Sequence, residues 1–403
     1  MTRYLVGFLC VCALGAMPLV GCSETTGVGG GGGSAGSGGA GGVGGANSAP
    51  LDYEKNPNSL KYDFSEVDSA ADGFVSAVPS VSGLTLAVVR KDEGQIYEKG
   101  YGDFGRDRIS LIASTTKVLS VGVILTLVDD GLLGLNRPVA EYVGWGDYHP
   151  TVTIEQLLSM MSGIGMFVSD EAEQGSCSFD AATTTNACAR EIFQDESKSI
   201  PPGEEFRYSE SAWTLAAGVA EVVSGKPWAE LVEERLVTPC GLPNTGYVNL
   251  GAYTSYPDGF DGDPANIPPS ENPQIGGGAY TTVNDYSKVL LMHLNGGVCG
   301  EARPERVLSS NMVERMQEDL VPEGVAMPSW SPSAVNYGMG WWKYQSDPRQ
   351  LEDGGAFGAR AVLLPEEGWG AILIIEATGA TGSLMKGVLV PLIREAVLAA
   401  DQT

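Results

Sequence analysis

The pattern of hydrophobic and polar residues predicts strands near both ends of the chain and helices between them. Two β-prone runs, residues 83–89 and 96–101, flank a charged turn and predict a β-hairpin. Residues 359–364 and 370–376 flank a Pro-Glu-Glu-Gly turn and predict a second pair of strands. Because the two pairs lie far apart in the sequence, one sheet built from both ends of the chain is the simplest arrangement.

Helices are predicted where apolar residues fill a segment or recur at helical spacing. Residues 118–135 are hydrophobic on nearly all sides, which is typical of a buried helix. Ser209 as the N-cap and Gly225 past the last turn delimit another helix. Further helices are predicted at residues 153–161, 228–236, 282–294 and 384–400, whereas residues 165–200 and 251–278 are predicted to be irregular.

These elements predict an α/β fold of the α+β type, in which helices flank an antiparallel sheet and a mainly helical lobe is inserted. We expect the sheet lobe at about residues 50–113 and 275–403, and the helical lobe at about residues 114–274. The chain has 403 residues, of which 43% are hydrophobic, and this is sufficient for a sizeable core.

The first 49 residues differ from this folded body. Residues 1–22 contain an apolar stretch that ends in Leu-Val-Gly-Cys, which resembles a bacterial lipoprotein signal with Cys22 as the lipidated residue. An ordinary signal peptide or a short membrane anchor is the alternative. Glycine occupies 13 of the 19 residues at 27–45, so residues 23–49 are expected to form a flexible tether. The domain at 50–403 would then be lipid-anchored in the bacterial envelope, at the outer membrane, and would face the periplasm or the exterior.

The charge of the chain excludes some partners. It carries 24 basic and 50 acidic residues, a net charge of −26. A surface this negative repels phosphate, so we expect neither nucleic acid nor anionic lipid head groups as partners. Only two histidines are present, His149 and His293, and we expect both to be structural rather than parts of a Ser-His-Asp triad.

Of the seven cysteines, Cys10 and Cys12 leave with the predicted signal and Cys22 carries the lipid. The four that remain allow three pairings. Cys177 and Cys188 bracket a short polar loop, which favours a local disulfide. Cys240 would then pair with Cys299 by elimination. A zinc site is the competing interpretation, but no Cys-x-x-Cys pair or nearby histidine supports it.

The segment Ser114-Thr115-Thr116-Lys117 opens the long apolar run and is the first candidate for chemistry. In a helix, residues i and i+3 lie on one face, so Lys117 would hold the Ser114 hydroxyl or accept its proton. An apolar wall is expected to lower the pKa of Lys117 and so to provide a free amine. The alternative is an N-cap serine followed by a surface lysine, because one Ser-x-x-Lys match is also expected by chance.

Further motifs follow this segment in order along most of the folded body. They lie at residues 127–133, 138–142, 153–163, 202–209, 277–285 and 337–341. Together with the Ser-x-x-Lys segment they resemble the serine β-lactamase and penicillin-binding-protein superfamily, in particular the class C β-lactamase-like group that includes esterases and D-peptidases. The resemblance implies the β-lactamase/transpeptidase-like fold and a serine hydrolase that uses no cofactor and no metal.

The resemblance also implies a role for each matching residue. Ser114 matches the nucleophile that becomes acylated, Lys117 its partner lysine, and Tyr208 the tyrosine that carries the proton between nucleophile and leaving group. An adjacent ammonium is expected to lower the pKa of Tyr208, which would act as base and then as acid. The family's Lys-Thr-Gly or His-x-Gly strand matches Glu352-Asp353-Gly354-Gly355. The backbone N–H groups of Gly355 and Ser114 would form the oxyanion hole.

Two positions depart from the family pattern. The family's asparagine becomes Glu210, and the lysine or histidine that helps hold a substrate carboxylate becomes Glu352. These two residues, with Asp353 and Gly354, are the expected substrate-binding set, and a glutamate there would repel carboxylates. Glu210 has an alternative role as a favourable charge in the first turn of a helix.

The sequence therefore predicts a membrane-tethered serine hydrolase that cleaves an ester or amide bond. Its expected substrate is a neutral or cationic small molecule or peptide. A β-lactamase or D-peptidase proper is the first alternative, and a non-catalytic binding protein on the same scaffold is the second.

Overall fold

The computed structural model describes residues 59–401 except 168, 253–255, 257–259, 264–265, 267–269, 300–305 and 333–334. The predicted signal peptide, the lipidation of Cys22 and the Gly-rich tether lie outside the described residues. Within the described part of the chain, no helix combines the length and the apolar character that crossing a membrane requires.

The strands of the described residues form two antiparallel sheets. They are β1 (Gly83–Arg90), β2 (Gly94–Gly102), β3 (Ser110–Leu111), β4 (Gly246–Tyr247), β5 (Ala279–Thr281), β6 (Val335–Tyr337), β7 (Trp342–Tyr344), β8 (Gln350–Gly354), β9 (Arg360–Leu364) and β10 (Trp369–Ile374). The large sheet has the order β2-β1-β10-β9-β8-β7-β6, and the small one has the order β3-β5-β4. Since β1 pairs with both β2 and β10, the predicted hairpin and the sheet built from both ends are confirmed.

The helices lie mainly between β3 and β6 in the sequence. They are α1 (Ser65–Ala77), α2 (Thr116–Asp129), α3 (Ile154–Leu158), α4 (Glu171–Gln174), α5 (Thr185–Gln194), α6 (Glu210–Ser224), α7 (Trp228–Val232), α8 (Thr238–Cys240), α9 (Val283–Leu294), α10 (Ser310–Met316) and α11 (Gly379–Ala400). The side chain of Ser209 caps α6 and Gly225 ends it in the left-handed conformation, as predicted.

Alternation along the central strands builds one core on each face of the large sheet. Leu86 and Leu373 pack against α1 and α11 on one face. Their neighbours Ala87 and Ile372 belong to the core on the other face, which also holds the apolar side of α2, α6 and α9. The mixed architecture of sheet and helices agrees with the predicted fold class.

Several element boundaries differ from the prediction, including the ends of α3 at Leu158 and of α7 at Val232. Helix α2 ends at Asp129 rather than at residue 135, because Gly131 takes a φ of +73° and the chain turns back on the last helical carbonyls. Helix α11 begins at Gly379, before the predicted start at residue 384. Helix α5 lies in a segment that was predicted to be irregular, where Thr184 caps its first turn.

Both predicted disulfides are present. Cys177 and Cys188 have Cα atoms 5.5 Å apart, and their bond joins a 3₁₀ turn to α5. Cys240 and Cys299 have Cα atoms 5.2 Å apart, and their bond joins the end of α8 to the segment after α9. The zinc alternative is excluded for these four residues, because every thiol is used.

Candidate active site

Ser114 lies in a 3₁₀ turn, Ala113–Thr115, that leads directly into the buried helix α2. The residue before it, Ala113, adopts a left-handed φ of 46°, which is uncommon for a residue with a Cβ atom and is found at functional turns. Ser114 is partly exposed, whereas Thr115 and Thr116 are buried. A substrate can therefore reach the hydroxyl, and the start of α2 favours negative charge there.

Lys117 lies one helical turn after Ser114 and is buried, with 2% of its surface exposed. Its Nζ donates a hydrogen bond of 2.5 Å to the carbonyl oxygen of Gly276. The same nitrogen lies 4.6 Å from the centre of the Tyr208 ring and 5.7 Å from that of Trp213. The alternative of a surface lysine is therefore wrong.

Tyr208 lies just before α6 and is 6% exposed. Its ring stacks on Trp342 with the centroids 5.8 Å apart and meets Trp330 edge-on at 5.5 Å. The phenol hydroxyl interacts with both Ser114 and Lys117. The starts of α2 and α6 thus bring together the three residues that were singled out from the sequence.

The pKa shifts of this group differ from what the sequence suggested. Burial disfavours the ammonium of Lys117, but its pKa is raised, because the surrounding acidic groups outweigh burial; these are Tyr208, Glu210 and Asp353. Burial also raises the pKa of Tyr208, and Lys117 offsets this only in part. The expected free amine and the expected lowered phenol pKa are therefore wrong for the resting site, which holds an ammonium and a neutral phenol.

Glu210 is the first residue of α6 and is 5% exposed. Its Oε1 accepts a hydrogen bond of 2.8 Å from the backbone N–H of Gly276. Burial raises the pKa of Glu210, whereas the nearby Lys117 lowers it. The carboxylate thus belongs to the cluster around Lys117, and its hydrogen bond goes to the backbone before β5.

Strand β8 presents two adjacent carboxyl groups to opposite faces of the sheet. Glu352 faces α11, where its Oε2 lies 2.6 Å from Nζ of Lys386 and its Oε1 lies 3.7 Å from Nε of Arg360. Asp353 faces the other side, where its charge acts on Lys117 and Tyr208. Glu352 therefore points away from the cluster, and alternation along the strand places Asp353 beside Lys117 instead.

Asp353 is fully buried and poorly compensated. Neither carboxyl oxygen has a hydrogen bond of regular geometry among the described residues. Burial raises the pKa of Asp353 well above its ordinary value, and Lys117 opposes this only in part. A buried carboxyl of this kind beside a lysine and a tyrosine is characteristic of functional sites.

The two glycines that end β8 have packing roles. A Cβ atom on Gly354 would lie 2.7 Å from Nη1 of Arg360, so this residue faces α11 and not the cluster. A Cβ atom on Gly355 would collide with the carbonyl oxygen of Ile112, which precedes the nucleophile turn. The N–H of Gly355 donates to the carbonyl of Ala359 at 2.9 Å. It is therefore not free for an oxyanion, which corrects that assignment, whereas the substrate-binding role of Gly354 stays a prediction.

Comparison with known proteins places the chain in a family. The Beta-lactamase family matches residues 69–386. The chain belongs to this family. Over 331 residues, which are 74% of this chain and 81% of the relative, it is 28% identical to penicillin-binding protein 4 of Amycolatopsis lactamdurans. Over 323 residues, or 73% and 79% of the two chains, it is 24% identical to the D-alanyl-D-alanine-carboxypeptidase/endopeptidase AmpH of Escherichia coli.

A solved structure supports the same assignment. The fold is similar to that of a Bacteroides dorei protein assigned as a beta-lactamase, with a TM-score of 0.66 and 25% identity. The match covers 83% of this chain and 99% of that chain. The resemblance to the serine β-lactamase and penicillin-binding-protein superfamily and the β-lactamase/transpeptidase-like fold are therefore confirmed. The family consists of serine hydrolases.

Two residues of the cluster were not assigned from the sequence. Gly276 donates its backbone N–H to Glu210 and accepts from Lys117 at its carbonyl oxygen. It stands directly before the glycines of a family motif, but a glycine run alone does not show which peptide a lysine will contact. Trp342 stacks on Tyr208 and directly follows another motif, yet nothing in its position along the chain indicates that contact.

A third residue that the sequence did not reveal is Glu173, which fixes the start of α6. It is fully buried on the short helix α4. Its Oε1 accepts hydrogen bonds from the hydroxyl of Ser209 at 2.8 Å and from the N–H of Ser211 at 2.6 Å. Its neighbours in the sequence include other acidic residues, and only the fold distinguishes it from them.

The two histidines lie outside this cluster, as expected. His293 is buried against Trp341, with the ring centroids 5.3 Å apart, and burial lowers its pKa to about 4. His149 packs edge-on against Phe193 at 5.7 Å. Both therefore have structural surroundings.

Proposed function

We propose that this member of the Beta-lactamase family hydrolyses ester or amide bonds through an acyl-enzyme on Ser114. The observation that carries the proposal is the contact of the Tyr208 hydroxyl with Ser114 and with Lys117 at the starts of two buried helices. A serine hydroxyl is a weak nucleophile until a neighbouring base takes its proton. In the cluster, Lys117 and Tyr208 supply such a base beside Ser114, which is partly exposed.

The reaction begins when Oγ of Ser114 attacks the carbonyl carbon of the substrate and its proton passes to the pair of Lys117 and Tyr208. Because both members of the pair are protonated at rest, the reactive form is the one that has first released one proton to solvent. The tetrahedral intermediate expels an alcohol or amine, which takes the proton back. Water then attacks the acyl carbon and gives a proton to the same pair. The bond between the acyl carbon and Oγ of Ser114 breaks, Oγ takes that proton, and the acid is released.

The oxyanion of the intermediate needs two N–H donors. The first in this proposal is the backbone N–H of Ser114 at the start of α2. The second is the N–H of Ala356, which is exposed at the turn after Gly355. Support for this choice comes from Gly355 itself, whose packing on Ile112 holds the turn beside the nucleophile.

The substrate is neutral or cationic, and is a small molecule or a peptide. Glu210 and Asp353 are both acidic, and we match Asp353, whose charge acts on Lys117, to the lysine or histidine that holds a substrate carboxylate in the family pattern. A carboxyl group at this place supplies no such cation, whether or not it is ionised. We therefore expect neutral esters and amides to be better substrates than penicillins.

The domain is tethered to the bacterial envelope through lipid on Cys22 and the linker at residues 23–49. The lipoprotein-like signal and the run of glycines support this part of the proposal. When the protein is expressed in a bacterium with its own signal, it should partition into detergent, and Cys22→Ala should release or misprocess it. A soluble mature form that begins at another residue would contradict the anchor.

Turnover of a panel of neutral esters tests the proposed activity. Ser114→Ala should abolish it with the fold intact, because a hydroxyl at a helix start contributes at most about 1 to 2 kcal/mol to stability. Tyr208→Phe should lower kcat by at least about a hundredfold, the low end for a lost acid/base group. Full turnover by Ser114→Ala would refute the assignment, and a non-catalytic binding protein would turn over no ester in any form.

A further inference from the structure

Glu210 stands where the family pattern has an asparagine, and one glycine links it to Lys117. Oε1 of Glu210 accepts from the N–H of Gly276 at 2.8 Å, while Nζ of Lys117 donates to the carbonyl oxygen of the same residue at 2.5 Å. Gly276 is therefore held at its N–H by α6 and at its carbonyl by α2. The carboxylate is 5% exposed, and it interacts with the charge of Lys117 as well as with this backbone N–H.

We infer that Glu210 is a positioning residue, which holds the backbone of Gly276 by its N–H so that the carbonyl of the same residue fixes Nζ of Lys117 against Tyr208. The inference rests on the proposed function, since Lys117 and Tyr208 are its acid/base pair. It differs from a substrate-binding role, in which the Glu210 carboxylate would contact the ligand. It also differs from a mere helix-start charge, which would need no partner in the segment before β5.

The packing around Gly276 shows how closely the two residues fit. A Cβ atom on Gly276 would lie 2.5 Å from Oε2, 3.1 Å from Cδ and 3.2 Å from Oε1 of Glu210. The nearest three atoms thus all belong to this one carboxylate. Helix α2 holds the same segment a second time, because the hydroxyl of Ser120 donates to the carbonyl of Ile275 at 2.6 Å.

Glu210 also acts on Lys117 through its charge. The charged and titratable groups around Lys117 are Tyr208, Glu210 and Asp353, and those around Glu210 are Lys117 and Glu173. The carboxylate raises the pKa of Lys117 in addition to its hydrogen bond with Gly276. Glutamine keeps an acceptor oxygen and loses the charge, whereas alanine loses both, so two variants separate the effects.

The first experiment measures hydrolysis of a small neutral ester from pH 6 to pH 11, so that the range includes the basic limb on which Lys117 loses its proton. Glu210→Ala should lower kcat by at least about tenfold with KM within about twofold, because a displaced catalytic group can cost up to a hundredfold in rate. Glu210→Gln should restore kcat to within about threefold at its optimum. In Glu210→Gln the apparent pKa of Lys117, read from the pH profile of kcat, should be lower than in the wild type, because the neighbouring negative charge is gone.

Glu221→Ala is the matched control on the same helix. Oε1 of Glu221 also accepts a backbone N–H, that of Trp228, at the same distance of 2.8 Å, but far along α6 from the cluster. This variant should change neither kcat nor the pH profile.

A double-mutant cycle tests the link through Gly276. Gly276→Ala should lower kcat as Glu210→Ala does, because its Cβ atom displaces the carboxylate. In the Glu210→Ala background the same substitution should cost less than about twofold, since the colliding atoms are absent.

Three results would overturn the inference. A raised KM with unchanged kcat in Glu210→Ala would mean that the carboxylate contacts substrate. Additive losses in the cycle would break the link through Gly276. If Glu210→Ala does not fold, an unchanged pH profile of Glu210→Gln would overturn the inference instead. A wild type that turns over no ester would instead refute the proposed function, and the inference with it.

Discussion

The two faces of strand β8 hold neighbouring carboxyl groups in opposite electrostatic environments. Against α11, Glu352 pairs with Lys386 and Arg360. Against α2, Asp353 has no regular hydrogen bond among the described residues and shares the single ammonium of Lys117 with Glu210. A compensated carboxylate stabilises a fold, whereas a buried and poorly compensated one is retained at reactive sites. The difference supports the proposal that the α2 face is the functional face, and we call the α11 face the structural face.

Removing the carboxylate on the structural face should give the largest effect on stability. Glu352→Ala leaves Arg360, which is 5% exposed, without its ion pair. Breaking a buried pair in this way costs about 3 to 5 kcal/mol in the free energy of unfolding. Urea unfolding measures the loss, while kcat for a neutral ester should stay within about twofold at a temperature where the variant is folded.

An exposed ion pair provides the control for this loss. Glu366→Ala removes a partner of Arg349 at 3.7 Å, and both side chains are more than one-third exposed. Its cost should be below about 1 kcal/mol. Equal losses for the two variants would show that Glu352 is not a buried ion-pair partner.

Changing the carboxyl group on the functional face should alter substrate preference. Asp353→Lys places a cation where the family pattern has one, and Asp353→Asn only removes the acidic group. Relative to a matched neutral ester, kcat/KM for a carboxylate-bearing ester should rise by about tenfold in the lysine variant, which corresponds to about 1.4 kcal/mol, and by less in the asparagine variant. An unchanged ratio in both would mean that Asp353 does not face the substrate.

The adjacent residue supplies the control for substrate preference. Glu352→Gln should leave the ratio of the two esters within about twofold, because this side chain faces α11. A change as large as that of the Asp353 variants would restore Glu352 as the residue that faces the substrate.

The smallest expected effect is a pH dependence of stability. The pKa of Asp353 is raised in the folded state, so the folded chain binds a proton more tightly than the unfolded chain, whose aspartate titrates near 3.9. As pH rises from about 4 to 8, the wild type should therefore lose stability relative to Asp353→Asn. Urea unfolding at several pH values measures this, and a constant difference between the two proteins would contradict it.

Local patterns in the sequence predicted the elements that local chemistry determines. The hairpin of β1 and β2 and the caps of α6 were correct, because alternation, Ser209 and Gly225 act within a few residues. Ser114, Lys117 and Tyr208 could be named from motif order, and the fold brings them together. Both disulfides were also correct.

What failed depended on contacts between distant segments. Glu352 and Asp353 are both acidic and adjacent, so only pairing of β8 with its neighbours determines which one faces α2. The pKa of Lys117 was expected to fall by burial, but Glu210 and Asp353 come from other elements and reverse its direction. The N–H of Gly355 was given a catalytic role although the turn to β9 already uses it.

Covalent labelling at Ser114 tests the central claim most directly. The wild type and Ser114→Ala are exposed to a neutral fluorophosphonate and to a panel of esters, D-peptides and penicillins, and intact mass spectrometry is followed by peptide mapping. The account predicts one adduct per wild-type chain on the peptide that contains Ser114, none on Ser114→Ala, and faster labelling by neutral than by carboxylate-bearing compounds. An adduct on another residue, or equal labelling of Ser114→Ala, would contradict it.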